Sequence, residues 1–165
     1  MSDHIKHECG IALLRLLKPL DYYQKKYGTA LYGLNKMYLL MQKQVNRGQD
    51  GAGLVNIKLD TGPGKPYISR RRSVDQNSIQ DVFLKISENF KKIKKLYPSE
   101  FNNAQWLKEN CAFMGELFLG HLRYGTYGGN NLTHCHPFLR QNNWKSRNLV
   151  LAGNFNMTNV EELFN

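Results

Sequence analysis

"NRGQDGAGLVNIKL", residues 46–59, sets three glycines within six residues directly ahead of an alternating apolar run. Val55, Ile57 and Leu59 alternate with polar neighbours, the two-residue period of a strand with one buried face. Upstream, Leu31, Leu34, Tyr38, Met41 and Val45 recur at steps of three and four, which predicts one helix over residues 21–45. Asp21 stands where it can cap that helix, and the helix is expected to end before Gly48. The glycine stretch is then a helix-to-strand loop whose backbone can come close to another group. It lacks the GxxxxGK[ST] spacing of a phosphate loop.

Further along, "TGPGKP" (61–66) reads as a turn and "YISRRR" (67–72) as the returning strand. Val82, Ile86, Phe90, Ile93 and Tyr97 mark a second amphipathic helix over 79–97, stopped by Pro98 and Ser99. "ELFLGHLR" (116–123) and "NLVLAGN" (148–154) read as strands, and Thr158 to Glu161 has the spacing of a capping box that starts a helix. This order predicts a mixed α/β or α+β domain.

The chain has 165 residues, 41% apolar and 22% charged, which suits one domain with a core. No apolar run reaches the roughly 18 residues of a membrane span, and the first residues lack the apolar centre of a secretory signal. Cys9, Cys111 and Cys135 cannot all pair within one chain and read as reduced thiols of a cytoplasmic protein. The net charge of +10 permits a polyanionic partner. Its clusters are Arg70–Arg71–Arg72 and the lysines 85, 91, 92, 94 and 95, for which a solvated helix face is the plainer account.

Four stretches carry residues suited to chemistry. Cys9 is followed at once by Gly10 and an apolar run. Arg47 and Asp50 lie in the first glycine loop, where the planar guanidinium fork suits a carboxylate; a helix cap and tight turn is the alternative. In "GHLRYGTYGG" (120–129), Arg123 leaves a strand beside Tyr124 and Thr126 and must find an anion, whether a ligand or a structural ion-pair partner. In "LAGNFNMTN" (151–159), the Asn154 amide and the next backbone N–H can aim two donors at one oxyanion, although asparagine also favours plain turns. "HCHPF" (134–138) has no accompanying CxxC or HxxxH spacing, so no metal site is expected there. Cys111 and Cys135 read as inert thiols.

In this order, Cys9-Gly10-Ile11, "NRGQDGAG", "GHLRYGTYG", "HPF" and "LAGNFNMTN" together resemble the N-terminal glutaminase domain of amidophosphoribosyltransferases. More broadly, the set is similar to class II glutamine amidotransferases of the N-terminal-nucleophile hydrolase fold. The resemblance covers Cys9 to about Leu163, with residues 60–112 standing apart as an insertion. It implies an α+β fold, an α/β/β/α sandwich of mostly antiparallel sheets, incomplete at the C-terminus. It implies that residues 1–8 are a leader whose removal makes Cys9 the first residue of a partial glutaminase domain, 9–165.

The resemblance further implies that Cys9 attacks the side-chain amide of L-glutamine, with its own α-amino group as the base. Arg123 would hold the glutamine α-carboxylate, with Thr126 beside it. The Asn154 side chain and the Phe155 backbone N–H would bind the oxyanion. Arg47 with Gly48 would support the nucleophile and the glutamine site, and Asp50 would organise that loop. Asn46 and Phe155 replace a histidine and a glycine usual in the family. No cofactor is implied for this segment; Mg2+ belongs with a phosphoribosyltransferase domain, the implied partner, in a full-length homo-oligomer that makes phosphoribosylamine for purine biosynthesis. The alternatives are another class II amidotransferase, serving sugar-phosphate or asparagine synthesis, and a non-catalytic basic module that grips nucleic acid. Aromatic residues for base stacking are sparse in the basic region, with Tyr67, Phe83 and Phe90 the available ones. No membrane partner is expected.

Overall fold

The computed structural model describes residues 8–125, 131–154 and 162. The chain enters as β1 (Gly10–Arg15), followed by α1 (Leu20–Tyr27) and α2 (Tyr32–Lys43). β2 (Gly51–Ile57) and β3 (Ile68–Ser73) form a hairpin around the glycine–proline turn. Then come α3 (Ser78–Leu96), α4 (Ala104–Asn110) and β4 (Leu117–Arg123). A second hairpin joins β5 (Phe138–Arg140) to β6 (Leu149–Leu151). The described residues thus make a mixed α+β chain in which every strand pairing is antiparallel. Among them, no helix is long and apolar enough to cross a membrane.

The single helix expected over 21–45 is two helices. Gly28 adopts φ +74°, a left-handed conformation that caps α1, and its N–H reaches Gln24 O at 2.9 Å. Pro19 takes the N-cap position, so Asp21 sits inside the first turn, where a carboxylate still favours the helix dipole. Tyr32 stacks on Tyr23 and Tyr27 across the break, with ring centroids 5.0 and 4.3 Å apart. The apolar stripe runs from Leu31 to Val45, so it marks α2 and leaves residues 21–30 without a period of their own. α3 begins and ends within a residue of the span its stripe marks. α4, too short for a clear period, was not legible, and Asn103 caps it by accepting from the Trp106 N–H at 3.0 Å.

The main sheet runs β1-β4-β2-β3. In this register Ala12, Gly120 and Leu54 share one row, and Phe118 and Leu122 project to the same side. α2 packs on β1 and β4, and α3 on β2 and β3. Met37, Met41, Val82, Ile86 and Phe90 from the two helices close this core. Each large apolar side chain so buried contributes about 1.5–3 kcal/mol. A Cβ at Gly120 would stand 2.7 Å from Met41 Sδ, so the bare backbone there admits the methionines of α2. β3 and α3 lie within residues 60–112 and belong to this same sheet and core.

The other face of the sheet carries Ile11, Leu13, Leu119, His121, Arg123, Gly53 and Val55. The segment Cys135–Pro137 crosses it over Gly53, where an added Cβ would lie 2.0 Å from His136 O. This is the face on which the candidate site is built.

Candidate functional site

Gly10 stands opposite Leu122 in the β1–β4 ladder, which carries Cys9 to the end of β4 where the chain emerges at Arg123 and Tyr124. The Tyr124 N–H donates to Cys9 Sγ at 3.4 Å, and the Cys9 thiol lies 4.0 Å from Tyr124 O. Cys9 is half-buried, so its sulfur is both held and reachable. Residues 9 and 124, 115 positions apart in sequence, meet because β1 and β4 are hydrogen-bonded neighbours.

The first glycine loop arrives on the other flank of β4. Gly51 pairs with Arg123, and the Asp50 N–H donates to Arg123 O at 3.0 Å. Asp50 Oδ2 accepts the Gly125 N–H at 2.7 Å, a charge-assisted bond. Gly48 presses its Cα against the same peptide; a Cβ there would stand 2.6 Å from Arg123 C. Arg123 itself is 5% exposed. The Arg47 side chain is exposed, and its backbone N–H closes a turn onto Gln44 O at 2.8 Å.

Beside Arg123, on the same face of β4, lies His121. Its Nε2 is 3.4 Å from His136 Nδ1, which also accepts the Gly153 N–H at 3.4 Å. An Nδ1 that accepts from Gly153 carries no proton, so His121 donates from Nε2. Its own Nδ1 is then a lone pair, buried without a hydrogen-bond partner among the described residues. Burial, with His136 alongside, pushes the His121 pKa down to about 4 and keeps the ring neutral near pH 7. Burial lowers His136 as well. Through this pair the turn before Asn154 is tied to β4, and Asn154 follows as an exposed bend.

The two remaining cysteines differ from Cys9. Cys135 is fully buried, its Sγ 3.5 Å from Ala52 O, and burial raises its pKa against the nearby Arg72 and Arg123 charges. Cys111 is raised by burial too. Such thiols resist forming thiolate. Among the described residues, no three His, Cys, Asp or Glu side chains gather as a metal site.

Of the residues singled out in the sequence, the fold brings together Cys9, Gly48, Asp50 and Arg123 at one end of β4. Arg47 lies in the same loop with its side chain exposed, and Asn154 is an exposed bend that follows Gly153, whose N–H is bonded to His136. Thr126 and Phe155 lie outside the described residues, as do residues 1–7 and the helix expected from Thr158. His121 and His136 were not singled out as partners. The signal was present in the alternation of "GHLR", which puts His121 and Arg123 on one face, but nothing local shows that "HPF" lies over it. Comparison with known protein families, curated proteins and solved structures finds no match to this chain.

Proposed function

We propose that this chain carries a glutamine-hydrolysing site of the class II amidotransferase type, on an N-terminal-nucleophile hydrolase fold, with Cys9 as nucleophile. The observation that carries the reading is the convergence of three distant sequence stretches on one point. Cys9 Sγ is bonded to the Tyr124 backbone, and the next peptide is bonded to Asp50. Arg123, buried at the same strand end, supplies a cation for a substrate carboxylate.

In this reading, removal of residues 1–8 gives Cys9 a free α-amino group, whose usual pKa of about 7.7–8.0 suits a general base at working pH. That amine takes the thiol proton as sulfur adds to the glutamine side-chain carbonyl carbon. The C–N bond breaks as the amine returns the proton to the leaving ammonia. Water then hydrolyses the γ-glutamyl thioester, releasing glutamate and the thiol. Asn154 and the Phe155 N–H are the proposed oxyanion donors. The ammonia would pass to a phosphoribosyl acceptor on a partner domain.

The test is covalent labelling by a diazoketone analogue of glutamine, read by peptide mass spectrometry together with the intact mass. Modification of Cys9 on a chain beginning at Cys9 supports the proposal. Modification of Cys111 or Cys135 instead, or of none on a chain beginning at Cys9, sinks it.

A further inference from the structure

A second cleft lies far along the sheet from Cys9, between the Asp60–Pro66 loop and α4. Its volume is about 240 Å3, room for a small ion or group, and its lining includes Lys58, Thr61, Lys65, Gln105 and Lys108. Lys58, the first residue after β2, is 6% exposed. Among the described residues no hydrogen bond or ion pair ends on its ammonium. The ammonium is therefore largely desolvated but opens onto the cleft, where an anion would offset that cost.

The nearby carboxylate is already engaged. Glu116 Oε1 binds Lys108 Nζ at 2.5 Å, and its Oε2 accepts the Leu59 N–H at 2.9 Å. Glu116 is therefore taken by Lys108 and the Leu59 N–H, which leaves the Lys58 charge over at the cleft. Asp60 and Glu109 also line it, opposed at the rim by Lys65. All three rim charges are exposed, and solvent screens them far more than the buried group. Glu109 is further occupied with the Gln105 amide at 2.6 Å. Burial lowers the Lys58 pKa, the same desolvation cost seen from the proton's side.

We propose that this cleft binds a small oxyanion, a phosphate group or a carboxylate, held by Lys58 and Lys108; Thr61 and Gln105 line it but are engaged with Lys145 and Glu109. The site owes nothing to Cys9 and stands whether or not the chain hydrolyses glutamine. The whole chain is titrated with inorganic phosphate, methyl phosphate and acetate at constant ionic strength, following backbone amide shifts by NMR. Saturable shifts confined to residues 58–66 and 104–109 are expected with phosphate. Loss of the buried charge in Lys58→Met weakens phosphate binding at least about tenfold, as removal of a charged hydrogen-bond donor does. Lys58→Arg keeps most of the affinity, and Lys65→Ala costs about two- to threefold, as expected for a screened charge. Methyl phosphate matching inorganic phosphate assigns a phosphate monoester; stronger binding of acetate assigns a carboxylate. Should Lys58→Met fail to fold, the location of the wild-type shifts and the Lys65→Ala response decide. The proposal is overturned by non-saturable shifts, by shifts centred elsewhere, or by a folded Lys58→Met chain that binds phosphate as wild type does.

Discussion

Asp50 Oδ2 holds the Gly125 N–H at 2.7 Å, while the Asp50 N–H holds Arg123 O at 3.0 Å. One residue of the glycine loop thus clamps both sides of Tyr124, the residue whose backbone is bonded to Cys9 Sγ. Asp50→Ala removes the carboxylate half of the clamp and keeps the backbone half. Cys9 labelling by the glutamine analogue is expected to slow about tenfold or more, through lost positioning of the nucleophile's surroundings. Global stability should fall by only about 1 kcal/mol, the net worth of one hydrogen bond. Labelling rate and urea midpoint measured on the same sample check this; an unchanged rate with a lowered midpoint would make Asp50 merely structural.

Gly53 lies where the Cys135–Pro137 segment crosses the sheet, and an added Cβ would come within 2.0 Å of His136 O. That atom is backbone and cannot swing aside. Gly53→Ala is expected to cost about 2–3 kcal/mol, as overpacking does. It should also loosen the His121–His136 contact. Equilibrium denaturation gives the first quantity, and histidine ring resonances report the second.

The histidine pair makes stability depend on pH with a definite sign. His121 is 1% exposed and its folded pKa is about 4, below the usual value near 6.5. The unfolded chain therefore binds more protons between these values, so stability rises with pH across roughly pH 4–6.5 and is lost as pH falls through that window. The span of about 2.5 pH units corresponds to roughly 3 kcal/mol at most, and His136 adds a contribution of the same sign. Urea midpoints at pH 4.5 and 7 for wild type and His121→Gln test it. A variant with the wild-type slope would remove His121 as the source.

The Glu116 carboxylate supports two partners, and Lys108 only one. Glu116→Leu leaves the Leu59 N–H, Lys108 and Lys58 without it, and is expected to cost about 3–5 kcal/mol, the usual penalty for half of a buried pair. Lys108→Met leaves Glu116 bonded to the Leu59 N–H with Lys58 still near, so its cost should be clearly smaller. Thermal melts of both variants at pH 7 order them; equal losses would place the carboxylate's value in the ion pair alone.

Residue order alone determined the α+β character, the span of α3, the β2–β3 hairpin with its turn, and the strand that ends at Arg123. These follow from apolar periodicity and from glycine and proline punctuation, which act over a few residues; the period of Val55, Ile57 and Leu59 marks one buried face, whereas β2 is buried on both, with Ala52 and Leu54 turned to the helices. The stripe from Leu31 to Val45 belongs to α2 alone, so it carries no information on residues 21–30, and the left-handed φ of Gly28 is what separates the two helices. The candidate residues Cys9, Gly48, Asp50 and Arg123 could be singled out by type, but nothing local joined them. Their meeting is a matter of register: Gly10 opposite Leu122 and Gly51 opposite Arg123 bring two distant segments to the same strand end. The His121–His136 pair and the cation at Lys58 belong wholly to tertiary structure. A neutral histidine and an ammonium without a carboxylate partner among the described residues are defined by what lies around them, and burial by distant segments is a property that no window of sequence contains.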